Sequence, residues 1–274
     1  MTVGINVDGS FFEGAPPPDT LKAAGFGGVR LTHRSDPGCE AYIESCLASG
    51  LWVVAIQGTG DAAPYPPPFH QKLIIQVDNE IDIPPTYKPP NVAADDFAIW
   101  RGTYPAYNMW TTGLASGHPD YFAEFLSSLS QWHSDVNWPN AVAMHPYWKN
   151  GDGVRTLAEE YWNITGAIPV VSTEWYWGHG QDQIYPVQDA MDEVCSVWNS
   201  WYCWSNLSNP GFGLIDQNGV CRLEGEELIS RLHGNCPEPY PRARQVPPPE
   251  PPHPFRRGGV EEPPLRQNTP PERP

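Results

Sequence analysis

Apolar, β-branched runs recur along the chain at Val3–Val7, Gly28–Leu31, Leu51–Gln57, Leu73–Val77, Tyr107–Thr112, Ala141–His145, Ile168–Thr173 and Ser200–Trp204. Their starts are spaced about 28 residues apart, and most gaps hold a helix-like pattern. That is the rhythm of repeated βα units on a parallel sheet. Eight such units predict an α/β fold closed into a (β/α)8 TIM barrel. The gaps predict helices at Asp19–Ala24, Cys39–Ser49, Pro119–His133, Val154–Asn163, Pro186–Trp198 and Glu224–His233. Asp36-Pro37 is a start signal for the second of these, and Phe122, Phe125, Leu126 and Leu129 lie at helical spacing in the third. The third gap, Gly58–Gln71, contains Pro64, Pro66, Pro67 and Pro68 and cannot hold a normal helix, so the third βα unit is expected to be degraded to a loop.

Composition changes after Cys236, where 14 of the last 38 residues are Pro and few are apolar. Such a segment cannot bury enough surface to offset the entropy of ordering it. The expected organisation is a barrel over residues 1–236 followed by an extended or disordered Pro-rich tail over 237–274. That tail serves either as a linker or as a tether to a protein partner.

The net charge of −16 comes almost wholly from the body, with 10 basic against 27 acidic residues before the tail. A surface of that sign repels phosphate backbones and argues against a nucleic-acid partner. No apolar stretch approaches the ~18 residues needed to span a bilayer, and Met1 runs almost directly into the first strand, so neither a membrane span nor a signal peptide is expected. Cytosolic residence, release by another route such as a virus particle, and prior processing all stay open. The six cysteines form no C-x-x-C pair and have no histidine at zinc-like spacing, so no structural metal is expected. Cys39 and Cys46 lie about 10 Å apart along one helix, too far for a mutual bridge. All 12 Trp precede residue 205. They favour an aromatic-lined groove, because sugar rings offer apolar C–H faces that stack on indole.

Chemistry concentrates at the C-terminal ends of the predicted strands, where a barrel of this kind carries its site. The polar groups there are Asn6 and Asp8, Arg30 and His33, Gln57, Asn79 and Glu80, His145 and Tyr147, and Glu174. Gln76-Val77-Asp78-Asn79-Glu80 and Val170-Val171-Ser172-Thr173-Glu174-Trp175 each end an apolar run in a carboxylate. Two carboxylates delivered from different strands are what cleavage of a glycosidic bond requires, one to protonate the leaving oxygen and one to attack or to activate water. Trp175, Trp177 and Trp204 add aromatic surface near the second. Taken singly, each of these residues has an ordinary role in a turn, a salt bridge or packing.

Taken together, the strand numbers matter. The chain resembles clan A of the glycoside hydrolases, retaining (β/α)8 enzymes whose fourth strand ends in Asn-Glu and whose seventh ends in a nucleophilic Glu. Asn79-Glu80 closes the fourth predicted strand and Glu174 the seventh. The resemblance implies that Glu80 is the acid/base, Glu174 the nucleophile and Asn79 a ligand of the sugar 2-hydroxyl. It implies further that Arg30 hydrogen-bonds the nucleophile, that His145 and Tyr147 form the sixth-strand His-x-Tyr motif with Tyr147 orienting Glu174, and that Trp204 floors the sugar site. It covers about residues 1–235. Many clan members carry Trp-Asn-Glu-Pro, whereas Val77-Asp78 precedes and Ile81 follows the motif here, which leaves the specific family open.

The implied reaction is retaining hydrolysis of O-glycosidic bonds in a β-linked oligo- or polysaccharide, with no metal or organic cofactor. Asp8, His33, Gln57, Trp175 and Trp177 are secondary candidates for the same site. Two other classes compete. A non-catalytic carbohydrate-binding or structural barrel, for example a particle- or virion-associated one, would keep the aromatics but misalign the glutamates. A metal-dependent hydrolase would need clustered ligands at strand ends, and the first strand has no His-x-His. Sugar identity and endo or exo action stay open.

Overall fold

Strands flanked by helices on one side and by other strands' side chains on the other are buried on both faces, which is why these segments read as continuous apolar runs rather than alternating ones. A computed structural model describes residues 2–7, 15–59, 65–115, 119–133, 138–145, 151–166, 168–175, 178–179, 183–184 and 200–205. In chain order the elements are β1 (Thr2–Val7), α1 (Pro18–Ala23), β2 (Gly28–Thr32), α2 (Pro37–Ala48), β3 (Trp52–Gln57), β4 (Leu73–Val77), α3 (Pro90–Thr103) and β5 (Asn108–Trp110). They continue with α4 (Pro119–Trp132), β6 (Val142–Met144), α5 (Gly151–Thr165), β7 (Val170–Trp175), β8 (Gly178–His179), β9 (Gln183–Ile184) and β10 (Ser200–Ser205). All described residues fall within one unit, Met1–Ala243.

Each of the eight apolar runs is a strand, and together they make one parallel sheet in the order β5-β4-β3-β2-β1-β10-β7-β6. Its two outermost strands also meet. Bridges Trp110↔Ala141 and Leu114↔Met144 join the β5 segment to the β6 segment. Backbone bonds from Asn140 N to Met109 O (2.9 Å) and from His145 N to Leu114 O (2.9 Å) accompany them.

The register sorts the side chains into two layers. One face of the sheet, with Ile5, Val29, Val53, Ile75 and Met109, packs under the helices in a large cluster that includes Ile43, Phe97, Phe122 and Tyr161. Val54, Ile74, Trp110, Ala141, Ala143 and Val171 form a smaller cluster on the other face. Asn6 and Arg30 are registered with Val54 and Ile74 on that second face, with Gln76 two residues further along β4. Polar side chains therefore share the second face with a small apolar cluster.

Local signals account for most boundaries. The Asp36 side chain accepts from the Cys39 N–H (2.9 Å) and Pro37 occupies the first turn, starting α2 where the sequence places it. Cys39 and Cys46 are buried free thiols, and burial pushes Cys46 up to about 12. Two features depart from the sequence pattern. The sequence pattern predicts no helix between the fourth and fifth strands, yet α3 is there, burying Ala93, Ala94, Phe97, Ala98, Trp100 and Arg101. Half of that buried face is alanine, which packs well but gives little hydrophobic contrast, and its Pro-Pro start resembles a loop. The second departure is the antiparallel pair β8 and β9, two residues each and too short to carry any periodicity.

Between β3 and β4, residues 58–59 and 65–71 contain no helix. The predicted helices Pro186–Trp198 and Glu224–His233 and the Pro-rich stretch 237–274 lie outside the described residues. Among the described residues no helix is long and apolar enough to cross a membrane.

Candidate active site

β4 carries a glutamine inside its apolar run, and the chain beyond it turns sharply. Asp78 and Glu80 both have positive φ, 61° and 51°, a region that residues with a Cβ occupy at a cost of roughly 1–3 kcal/mol each. Surrounding bonds hold the turn. The Asp78 N–H donates to Gln57 O (2.7 Å) and the Glu80 N–H to Gly113 O (2.8 Å), stitching the segment to β3 and to the residues after β5. The Asp78 carboxylate accepts from Thr59 N (3.1 Å), Thr59 Oγ1 (2.9 Å) and Lys88 Nζ (2.8 Å). Burial opposes the charge of Lys88, but its bonds to Asp78 and Asp96 and their charges prevail, and its pKa is raised.

Arg30 is the hub. Its side chain is 2 % exposed, and it donates to Gln76 Oε1 through Nε (2.8 Å), to Asn6 Oδ1 and Glu174 Oε1 through Nη1 (2.8 and 2.7 Å), and to Asn79 Oδ1 through Nη2 (2.6 Å). A buried guanidinium needs this many acceptors, because its desolvation is otherwise uncompensated. Gln76 Nε2 also donates to Asn79 Oδ1 (3.1 Å). Two donors on Oδ1 fix the orientation of the Asn79 amide, so its Nδ2 faces Glu174 Oε1 at 3.5 Å. The amide N–H is thereby aimed at the space beside that carboxylate.

Glu174 reaches the hub through an irregularity in β7. Trp201 pairs with Ser172 and Cys203 with Trp175, so β7 holds one residue more than β10 over this stretch. Such bulges bend a strand and re-aim its side chains. The Asn6 amide donates to Thr173 O (3.0 Å), covering a carbonyl within the irregular stretch.

His145 lies between the two glutamates. It is fully buried, with Nδ1 3.1 Å from Glu80 Oε1 and Nε2 3.6 Å from Glu174 Oε1. One ligand-type atom from each of Glu80, His145 and Glu174 lies within 4.8 Å of the others. Glu80 is the more open carboxylate, its side chain 33 % exposed against 12 % for Glu174. Room for the ring depends on a missing side chain. A Cβ on Gly113 would overlap His145 Nε2 and stand 3.0 Å from its Cδ2 and Cε1. Gly113→Ala is therefore expected to destabilise the protein by about 1–3 kcal/mol, as overpacking does, and to displace His145. Thermal denaturation checks this.

The structure thus brings Arg30, Asn79, Glu80, His145 and Glu174 together. His33 and Gln57 form a separate buried group. Gln57 Nε2 donates to His33 Nδ1 (2.6 Å), and His33 Nε2 faces Glu40 Oε1 (2.9 Å), so both are directed at α2 rather than at either glutamate. Asp8, Tyr147 and Trp177 lie outside the described residues. For Trp204 and Trp175 the backbone register alone is described, opposite Asn6 and Cys203 respectively. Among the described tryptophan side chains, Trp100 and Trp110 are buried, Trp52 is half-buried at the start of β3, and Trp132, Trp138 and Trp162 are exposed near helix C-terminal ends or before a strand, not at the end where the glutamates meet. Gln76 and Gly113 belong to the site and carry no sequence motif, and Lys88 is bonded to the turn beside it. The one signal was Gln76 itself, a long polar side chain inside an apolar strand.

No protein-family model matches the chain, and no curated protein sequence matches it. Solved structures do. A GH128 subgroup V exo-β-1,3-glucanase from Cryptococcus neoformans superposes with a TM-score of 0.62 at 17 % identity, covering 84 % of this chain and 98 % of that one. The fold is that of the GH128 glycoside hydrolases. A GH128 subgroup I endo-β-1,3-glucanase mutant from Amycolatopsis mediterranei, solved with laminarihexaose, matches at TM-score 0.56 and 13 % identity over 84 % of this chain and 98 % of its own. A GH128 subgroup VII protein from Cryptococcus neoformans, described as oligosaccharide-binding, matches at 0.56 and 17 % over 85 % and 94 %. The GH128 fold thus occurs in both hydrolases and a carbohydrate binder.

Proposed function

We propose that this protein is a retaining glycoside hydrolase of β-linked glucans, built on a closed (β/α)8 barrel. The observation that carries the proposal is the separation of the two glutamates. Their nearest carboxylate oxygens lie within 4.8 Å. Retaining enzymes hold their carboxyl groups about 5–5.5 Å apart and inverting ones ~6.5–9.5 Å, leaving room for a water. The bridges from β5 to β6 support closure of the sheet.

In this reading a Glu174 oxygen attacks the anomeric carbon as the bond to the leaving oxygen breaks, and Glu80 gives its proton to that oxygen. Water then attacks the glycosyl ester, Glu80 takes a proton from it, and the Glu174 carboxylate is released. Arg30 orients the charged form of Glu174. Asn79 presents its N–H to the sugar 2-hydroxyl. His145 positions both glutamates, and Tyr147 and Trp204 complete the sugar site. The substrate class follows the structural likeness to enzymes of β-1,3-glucan.

Incubating the purified protein with β-1,3-glucan, β-1,4-glucan, β-mannan and β-galactan, with products separated by chromatography, tests this. Release of oligosaccharides from β-1,3-glucan is expected. Retention on insoluble β-1,3-glucan without cleavage would replace hydrolysis by carbohydrate binding, the role described for one structure of this fold.

A further inference from the structure

Lys88 sits outside the constellation of glutamates, yet every polar group it owns is engaged around them. Its N–H donates to Ile81 O (2.7 Å), and its carbonyl accepts from the Tyr121 hydroxyl (2.8 Å). The ammonium has three donors, and three acceptors surround it: Asp78 Oδ2 (2.8 Å), Asp96 Oδ2 (2.9 Å) and Thr59 Oγ1. Together with Tyr121, these acceptors belong to four different stretches of chain, namely the loop after β3, the end of β4, α3 and α4. Thr86, two residues earlier, donates its hydroxyl to Glu80 O (2.6 Å). The segment after Glu80 therefore folds back and grips the turn that carries it.

The turn needs that grip. Asp78 and Glu80 are both left-handed, at 61° and 51°, with Asn79 between them. Without the ammonium, Asp78 and Asp96 would present two carboxylate oxygens to one another across the space it fills, in a body already rich in negative charge. Repulsion would swing Asp78 outward, and the relaxation available to its backbone is away from the left-handed region.

We infer that Lys88 is a positioning residue for the hydrolytic reaction: by neutralising Asp78 and Asp96 together it locks the Asp78-Asn79-Glu80 turn and sets the separation between Glu80 and Glu174. This rests on the glycoside-hydrolase reading for its kinetic consequence, and on geometry alone for its structural one. A misplacement of ~1 Å at a reacting group costs on the order of 100-fold in rate.

The test compares Lys88→Met and Lys88→Arg with wild type, well below their melting temperatures, by kinetics on β-1,3-glucan and by crystal structures of the variants. For Lys88→Met the expected result is a kcat lower by at least about 10-fold with KM changed less than about 2-fold. Its structure should show Asp78 out of the left-handed region and the glutamate oxygens further apart. Lys88→Arg, whose guanidinium can still bridge both carboxylates, should recover most of kcat. Wild-type kcat in Lys88→Met, or an unchanged turn in its structure, would overturn the inference. If wild type cleaves no glycan, the function proposal fails, and the structural arm still decides the clamp. Should Lys88→Met not fold, Lys88→Gln serves in its place, its amide able to bond one carboxylate but carrying no charge, with a loss of kcat in the same direction expected and no loss counting against the inference.

Discussion

Glu174→Gln is expected to reduce kcat by about 10⁴-fold or more while leaving the protein folded. The amide keeps the size of the carboxylate and can still accept from Arg30 Nη1, now 2.7 Å from Glu174 Oε1, so the loss would report chemistry rather than collapse. Far-ultraviolet circular dichroism and Tm close to wild type should accompany the inactive protein. Glu174→Ala adds a sharper criterion. Azide entering the vacated space can attack the anomeric carbon while Glu80 still protonates the leaving oxygen, giving a glycosyl azide of inverted configuration. Glu80→Gln should instead spare substrates whose leaving group departs without a proton. A fully active Glu174→Gln protein would remove the mechanism.

Arg30→Met should have the largest effect on stability. Removing the guanidinium withdraws four hydrogen bonds at once, from Asn6, Gln76, Asn79 and Glu174. The Glu174 side chain, 12 % exposed, would lose its ion pair with Arg30. Removing one partner of a buried pair costs about 3–5 kcal/mol, which for a domain of this size is a fall in Tm of roughly 6–20 °C. Differential scanning calorimetry measures it. Arg30→Lys keeps the charge but cannot span all four acceptors, and an intermediate Tm is expected. A methionine variant as stable as wild type would mean that the web contributes little.

The legibility of this chain followed burial. Eight strands were readable because a sheet covered on both faces is written in uninterrupted apolar residues, with turn residues between. Arg30, Asn79 and Glu174 stood out for the complementary reason: a charged or amide side chain closing an apolar strand has no partner in its own segment and must find one across the sheet. His33 and Gln57 carry the same signature and met each other and Glu40 instead, so the signature locates buried polar groups without saying which of them converge. The alanine-lined α3 was hidden because small side chains bury efficiently while contributing little contrast. The left-handed Asp78 and Glu80 were hidden because neither is glycine or asparagine, and what holds them is tertiary. Lys88 and Gly113 were hidden for that reason too, one acting through four distant stretches and the other through the absence of an atom beside His145.

The most direct measurement is the configuration of the sugar at the instant of release. Following wild-type hydrolysis of a β-1,3-glucan by ¹H NMR, the account predicts the β anomer as the first new reducing end, with the α anomer growing in later at the rate of spontaneous mutarotation. An α anomer formed first would mean that water, not Glu174, attacks the substrate, and would contradict an account in which Glu174 is the nucleophile.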